Sequence, residues 1–238
     1  FYAVETVLGA VREAPSVDCA RRAAVEMAEA LADENAAAGE AIGDHGAALI
    51  RDGMRNLTHC NAGWLAFVDW GSALAPIYVA ARQGKKVFVY VDETRPRSQG
   101  ARLTAWELQG EGIEHAIVVD NAAGHPMRRG EVDMVIVGTD RIAANGAVAN
   151  KIGTYEKALC AAANDVPFYV AAPTSTIDPR CSTGDAIPIE YRDEDEVLYV
   201  TGEAADGELC RVRVAHAAAR AINPAFDVTP ARYVTGII

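Results

Sequence analysis

From residue 54 onward, short runs of β-branched and aromatic residues alternate with segments of helical periodicity. The run Lys85–Val91, KKVFVYV, has the composition of a buried strand. Strands that alternate with helices predict βαβ units and a parallel sheet covered on both faces. The predicted strands are Arg55–His59, Lys85–Val91, Ile113–Val119, Met134–Val137 and Phe168–Ala172. The predicted helices are Ser72–Gln83, Gln99–Gln109, a short one before Met134, and Tyr155–Ala163.

The residues before this alternating region are typical of helices. Pro15 ends the first helix, and Ser16 is a plausible N-cap for a second helix from Val17 to about Asn35. A third helix is predicted over Gly39–Arg51, and no strand pattern occurs in this part of the sequence. We therefore expect a helical region over residues 1–53 and an α/β domain over residues 54–238.

Charge and hydropathy exclude several classes of partner. The 33 acidic and 22 basic residues give a net charge of −11, which argues against nucleic acid or an anionic membrane as a partner. The longest apolar runs fall far short of the roughly 20 residues of a transmembrane helix. Phe1–Gly9 shows neither the basic segment nor the cleavage site of a secretory signal. We therefore expect a cytoplasmic protein.

The cysteine pattern supports the same expectation. The chain has five cysteines, an odd number, and none lies in a CxxC pair. This is typical of free thiols in a reducing compartment rather than of a disulfide scaffold. His59 and Cys60 are adjacent, a spacing that metal sites rarely use, so no metal is predicted.

Polar segments follow several of the predicted strands. In a parallel sheet the carboxyl ends of the strands meet at one edge, where ligands bind, so we expect these segments to converge there. They are Thr58–Gly63, Asp92–Gly100, Asp120–His125 and Gly138–Thr154. The sequence has no GxGxxG after the first strand, no GxxxxGK[ST] and no GxSxG, which disfavours dinucleotide, P-loop and serine-hydrolase sites. Arg95, Arg97 and Lys151 supply the local positive charge that an anionic ligand needs.

Cys60 and Asp140 are the candidates for acid–base chemistry. Cys60 follows a strand and precedes a predicted helix, whose dipole would lower the pKa of the thiol; the alternative is a small buried hydrophobic residue. Asp140 follows the strand sequence MVIV. It is either a general acid whose pKa is raised by apolar neighbours, or a turn cap or partner of Arg141.

Long motifs at these positions resemble those of a known family. They are THCNAGWLA, YVDETRPRSQGARLTAWEL, DNAAGHPM, VGTDRIAANGAVANKIGTYEKAL, PFYVAAPTSTID and NPAFDVTPARYVTGII. From about Arg55 to the end, the chain is similar to 5-methylthioribose-1-phosphate isomerases. These enzymes are related to regulatory subunits of a translation-initiation exchange factor and to ribose-1,5-bisphosphate isomerases.

The resemblance implies a helical N-terminal part, a Rossmann-like α/β domain, a homodimer, and no cofactor or metal. It also implies aldose–ketose isomerisation of 5-methylthioribose 1-phosphate in methionine salvage. Cys60 and Asp140 match the family's catalytic residues, and Gln99, Asn150 and Lys151 match its substrate contacts. Arg97 is our own additional candidate for phosphate binding.

Some features depart from the family pattern. Thr139 stands where the family usually has Ala, and Ala147 stands where it has an acidic residue. Phe1 matches a point well inside the family sequence, so we expect that an N-terminal part carrying an Arg-Gly-Ala-Pro loop is missing from this sequence. Two alternatives stay open: an isomerase of another sugar 1-phosphate, such as 5-deoxyribose 1-phosphate or ribose 1,5-bisphosphate, and a non-catalytic subunit that binds sugar phosphates or nucleotides.

Overall fold

The computed structural model of the chain describes residues 2–238, so residue 1 of the predicted helical region lies outside the description. The helices are α1 Tyr2–Glu13, α2 Val17–Ala47, α3 Ala75–Arg82, α4 Ala105–Gly110, α5 Gly124–Arg128, α6 Thr154–Ala163 and α7 Asp195–Leu198. The first strands are β1 Arg55–Thr58, β2 Phe88–Asp92, β3 Glu114–Val118, β4 Met134–Val137, β5 Arg141–Ala143 and β6 Val148–Lys151. The others are β7 Phe168–Val170, β8 Ile177–Asp178, β9 Tyr199–Glu203, β10 Leu209–Arg213, β11 Phe226–Thr229 and β12 Gly236–Ile237.

The main sheet has six strands in the order β12-β7-β4-β1-β2-β3, and every neighbouring pair is parallel. The predicted α/β fold with a Rossmann-like parallel sheet is therefore confirmed. Alternate residues of the central strands are buried on opposite faces: Val89 and Ile136 pack with α3, and Leu57 and Val135 pack with α6. Burial of both faces explains why these strands read as continuous apolar runs.

The predicted break between the second and third helices is wrong. Ser16 does cap α2, accepting a hydrogen bond from the backbone N–H of Cys19, but the helix then runs without interruption to Ala47. Its glycines allow close packing instead of ending the helix. A Cβ on Gly39 would lie 2.9 Å from the carbonyl oxygen of Gly71, and one on Gly43 would lie 2.9 Å from a methyl group of Val79.

The polar segment after β4 contains strands that the sequence analysis does not predict. They form the hairpin β5–β6, which belongs to a second sheet of order β11-β6-β5-β8. The turn of this hairpin holds Asn145, whose side chain accepts from the N–H of Ala147, and Gly146, whose φ is +79°. An Asn-Gly pair between short β-prone runs is a hairpin signal, so the sequence did carry this information.

Residues 199–213 contain the antiparallel hairpin β9–β10. Within residues 2–238, none of the helices has the combination of length and apolar composition that crossing a lipid bilayer requires.

Candidate active site

Loops that follow adjacent strands form a recess at the carboxyl edge of the main sheet. β1 lies between β4 and β2, so the segments after β1 and β4 meet there, and the hairpin strand β6 closes the recess from the side. The cavity has a volume of about 190 Å³. Four predicted site residues line it: Cys60, Asp140, Asn150 and Lys151.

Cys60 is held in an unusual backbone conformation by its neighbours. Its φ is +68°, in the left-handed region that non-glycine residues rarely adopt. Its N–H donates to Thr94 Oγ1 at 2.9 Å, and its carbonyl accepts from Thr104 Oγ1 at 2.8 Å. The side-chain amide of Gln99 donates to Cys60 Sγ at 3.4 Å. These contacts stabilise a strained position, which is common where a reactive side chain must be aimed.

The expected lowering of the Cys60 pKa is wrong. Burial raises the pKa of the thiol, and the opposing effects of the Asn61 N–H, Gln99 and Lys151 do not overcome it. The helix invoked in the prediction is a single 3-10 turn over Trp64–Ala66, and it begins four residues beyond Cys60. A turn of this length has almost no aligned peptide dipoles to stabilise a thiolate.

Asp140 directly precedes β5, the first strand of the hairpin β5–β6. Its N–H donates to the carbonyl of Ala149 at 2.9 Å, and the neighbouring Thr139 hydroxyl donates to the same carbonyl at 2.8 Å. Although Asp140 keeps contact with solvent, surrounding protein atoms desolvate its carboxyl group and raise its pKa, while Lys151 opposes this shift. The expected direction of the shift is confirmed. Asp140 also lines a larger cavity of about 850 Å³ that extends along β8.

Asn150 and Lys151 lie at the end of β6, opposite β11. Asn150 is buried and donates from Nδ2 to Thr154 Oγ1 at 2.9 Å. Lys151 Nζ lies 4.5 Å from the centre of the Phe226 ring, a cation–π contact that holds the amine beside the recess. The pairing of Lys151 with Phe226 across β6 and β11 positions both side chains.

Gln99 and Arg97 line a narrow cleft that continues from Lys151. Gln99 reaches the recess through its contact with Cys60. Arg97 is exposed, and its Nε lies 3.9 Å from Glu196 Oε1. Arg97 therefore has a carboxylate close by, a pairing that the sequence analysis did not anticipate.

Glu107 is a further residue that sequence reasoning missed. It is fully buried on α4 and accepts hydrogen bonds from the N–H groups of Trp64 and Leu65, from Asn61 Nδ2, and from Tyr78 Oη at 2.6 Å. It thereby holds the loop that follows Cys60. A lone acidic residue in the apolar sequence AWEL was the available signal, because a buried carboxylate requires several donors.

A cluster of titratable side chains lies beside the recess. His59 Nδ1 lies 2.8 Å from Asp92 Oδ2 and 4.0 Å from Asp120 Oδ1, and Lys157 Nζ lies 3.5 Å from Asp92 Oδ2. His59, Asp92 and Asp120 have the atom types of a metal site. However, His59 Nδ1 and Asp92 Oδ2 are in direct hydrogen-bonding contact, and Lys157 Nζ already faces the same Asp92 oxygen. These contacts fit a network of side chains bonded to one another and not a metal site.

Comparison with known proteins decides the family. Residues 1–238 match the profile of the Initiation factor 2 subunit family over their full extent. The chain belongs to this family. Members of the Initiation factor 2 subunit family with different named roles share this fold. The match therefore shows the family and the architecture of this chain, but it does not distinguish one activity from another.

Several curated relatives are closely similar in sequence. A methylthioribose-1-phosphate isomerase of Gluconobacter oxydans is 59% identical over 221 residues, which cover 89% of this chain and 60% of the relative. A protein of the same name from Brucella anthropi is 54% identical over 246 residues, covering 99% of this chain and 66% of the relative. This chain therefore spans less than two thirds of the length of these two relatives.

Two solved structures share the fold. One, a 5-methylthioribose 1-phosphate isomerase from Pyrococcus horikoshii OT3, has a TM-score of 0.85 and 41% identity, covering 100% of this chain and 64% of that one. The other, the translation initiation factor eIF-2B subunit delta from A. fulgidus, has a TM-score of 0.83 and 41% identity, covering 99% and 66%. The two structures carry different functional names at the same identity, so overall similarity to them does not distinguish an enzyme from a regulatory subunit.

Proposed function

We propose that this protein is an aldose–ketose isomerase that converts 5-methylthioribose 1-phosphate to 5-methylthioribulose 1-phosphate in methionine salvage. The recess shared by Cys60 and Asp140 carries the proposal, because it joins a thiol and a carboxyl group of raised pKa. Isomerisation needs one group that gives a proton and another that accepts one. The names of curated relatives at 54% and 59% identity support the choice of substrate.

Asp140 is the proposed general acid. The phosphate on the anomeric carbon of the substrate prevents the spontaneous ring opening of a free sugar. Protonated Asp140 gives its proton to the ring oxygen as the C1–O bond breaks, and the raised pKa keeps that proton available closer to neutral pH.

Cys60 is the proposed base for the transfer of hydrogen from C2 to C1. In one route the thiolate takes the C2 proton, forms an enediol-like intermediate and returns the proton to C1. In the other, hydride moves directly from C2 to C1 while Cys60 removes the proton of the C2 hydroxyl. Both routes use the same two residues.

The remaining residues bind substrate in this proposal. Lys151 supplies positive charge for the phosphate, and Gln99 and Asn150 bind sugar hydroxyls. Arg97 binds phosphate once its guanidinium turns away from Glu196, whose Oε1 lies 3.9 Å from Arg97 Nε. Firm binding of the phosphate suppresses its elimination from the enediol-like intermediate.

We also propose how the protein is divided into domains and assembled. Residues 1–53 form the helical region and residues 54–238 form the catalytic domain. The active form is a homodimer in the cytoplasm, and the chemistry uses side chains without a cofactor or metal. Size measurement by light scattering in solution tests the dimer directly.

Turnover of the purified full chain tests the proposal. The C2 ketone is followed by NMR after addition of 5-methylthioribose 1-phosphate, beside Cys60→Ser and Asp140→Asn as matched variants. We expect ketone with the wild type and none with either variant, while calorimetry still detects substrate binding to Asp140→Asn. Turnover like that of the wild type in either variant would refute the assigned role.

A binding role without turnover is the second candidate, favoured by the similarity to eIF-2B subunit delta of A. fulgidus. If folded wild-type protein binds the sugar phosphate but forms no ketone, this candidate is supported. Parallel assays with 5-deoxyribose 1-phosphate and ribose 1,5-bisphosphate separate it from an isomerase of a different sugar.

A further inference from the structure

His59 links the two loops that carry Cys60 and Lys151. It directly precedes Cys60 and has an exposed fraction of 1%. Its Nδ1 lies 2.8 Å from Asp92 Oδ2, and its Nε2 lies 2.8 Å from the carbonyl oxygen of Ile152, the residue after Lys151. One ring therefore spans the gap between the thiol loop and the end of β6.

The Ile152 carbonyl defines the role of one ring nitrogen. A backbone carbonyl oxygen can only accept, so Nε2 carries hydrogen and donates to it. Nδ1 makes the second contact of the ring, with the Asp92 carboxyl group. Asp92 also faces Lys157 Nζ at 3.5 Å, and both of these side chains are fully buried.

Other titratable groups surround this arrangement. Burial raises the pKa of Asp92, and the opposing effects of His59 and Lys157 do not overcome it. Asp120, after β3, has an oxygen 4.0 Å from His59 Nδ1. Asp227, on β11, accepts from the N–H groups of Gly153 and Tyr155, and Glu156 on α6 lies 3.9 Å from Lys157 Nζ. His59 and Lys157 thus lie among carboxyl groups from several elements packed around them.

The backbone after Lys151 also packs closely against the His59 ring. Gly153 has a φ of +99°, and a Cβ there would lie 3.2 Å from His59 Cε1 and Nε2. Both the hydrogen bond to Ile152 and this close approach make the position of the Lys151 loop depend on the His59 ring.

We propose that His59 ties the Cys60 loop to the Lys151 loop through its two ring nitrogens, and so acts as a positioning residue. The inference rests on the proposed function for its catalytic consequence. His59 does not enter the recess as a base, since both ring nitrogens are occupied. It sets the position of the thiol relative to the cation that binds the substrate phosphate.

Two amide variants separate this role from simple packing. In His59→Gln the amide nitrogen falls near the place of Nε2 and can still donate to Ile152. In His59→Asn it falls near Nδ1, so the bond to Asp92 survives and the tie to Ile152 is lost. We expect His59→Asn to lose about 100-fold in kcat with a smaller change in KM, as for a misplaced reacting group, and His59→Gln to recover kcat to within about tenfold of the wild type.

The tie to Ile152 is measured independently by NMR on the full chain with ¹⁵N-labelled histidine. The His59 signal is assigned by its absence in His59→Gln. We expect a hydrogen on Nε2 that exchanges slowly with solvent, because it is bonded to the Ile152 carbonyl in a buried position. An Nε2 without hydrogen, rapid exchange of that hydrogen, or equal loss of kcat in both variants at unchanged melting temperature would overturn the proposal.

The NMR measurement decides even if His59→Asn does not fold, because it uses the wild-type protein. The two proposals also fail separately. A wild type without turnover contradicts the isomerase but leaves the hydrogen bond from Nε2 to Ile152 to be observed, whereas an Nε2 without hydrogen in an active enzyme contradicts only the role of His59.

Discussion

Gln99 donates a hydrogen bond from its side-chain amide to the sulfur of Cys60 at 3.4 Å. The two residues lie on different loops, after β2 and after β1, so the tertiary fold creates this contact. A donor aimed at sulfur stabilises the thiolate relative to the thiol, and Gln99 is among the groups that lower the Cys60 pKa against the larger effect of burial.

Replacement of Gln99 should therefore make Cys60 less reactive. In Gln99→Leu the thiolate loses a donor, and we expect alkylation of Cys60 by iodoacetamide at pH 8 to slow about fivefold, the factor that corresponds to ~1 kcal/mol for one hydrogen bond. Peptide-resolved mass spectrometry measures the rate. Exposed Cys210 in the same sample is the internal control, and its rate should not change. An unchanged ratio of the Cys60 and Cys210 rates would contradict the assignment.

The pH dependence of turnover follows from two raised pKa values. Asp140 must keep its proton and Cys60 must lose its own. Since the Cys60 pKa is the higher of the two, kcat/KM should rise up to the Asp140 pKa, stay level, and fall above the Cys60 pKa. At any pH, only a small fraction of the enzyme has Asp140 protonated and Cys60 deprotonated at the same time.

A pH profile of kcat/KM checks this shape, and alkylation of free enzyme supplies the Cys60 pKa separately. The basic limb should coincide with the alkylation value. Lys151 lowers the pKa of both groups, so Lys151→Met should move the alkylation midpoint to higher pH. A midpoint that stays in place would contradict the effect of Lys151 on the Cys60 pKa. A basic limb elsewhere would contradict Cys60 as the base paired with Asp140.

The hydrogen bond from Tyr78 to Glu107 should contribute measurably to stability. Tyr78→Phe removes the donor at 2.6 Å from Glu107 Oε2 and leaves a buried carboxylate oxygen with one partner fewer. We expect the free energy of unfolding to fall by about 1–3 kcal/mol in urea denaturation. Tyr191→Phe is the matched control, because Tyr191 is 70% exposed, and it should change stability by less than about 0.5 kcal/mol. Equal effects of the two substitutions would mean that the buried bond contributes nothing net.

Gly100 should tolerate no side chain. A Cβ at this position would collide with the carbonyl oxygen of Asp92, whereas one on Gly110 meets no atom within 4 Å. We expect Gly100→Ala to lower the free energy of unfolding by at least about 2 kcal/mol, and to reduce turnover because Gln99 is displaced from Cys60. Gly110→Ala should be neutral or slightly stabilising, as glycine is a weak helix former. Comparable melting temperatures for both variants would show that the loop can relax around the added methyl.

The parallel sheet could be predicted because its signal is local. VFVYV and MVIV are continuous runs of apolar and aromatic residues, as a strand buried on both faces must be. The hairpin β5–β6 was missed because its strands are short and carry polar residues, although Asn145-Gly146 marked its turn. The predicted end of the second helix near Asn35 is wrong because glycines in α2 allow close packing against Trp70 and α3. No local sequence pattern reveals that packing.

The sequence alone determined the α/β fold and which residue types follow each strand, because hydrophobic period and motif order are properties of neighbours in the chain. It also placed Cys60 and Asp140 at strand ends. The tertiary structure decided the pKa of Cys60, the proximity of Arg97 to Glu196 and the contacts of Glu107. It also brought His59 to Ile152, 93 positions away. Burial and contact between distant segments depend on how the layers pack, and electrostatic effects follow distance in space and not distance along the chain.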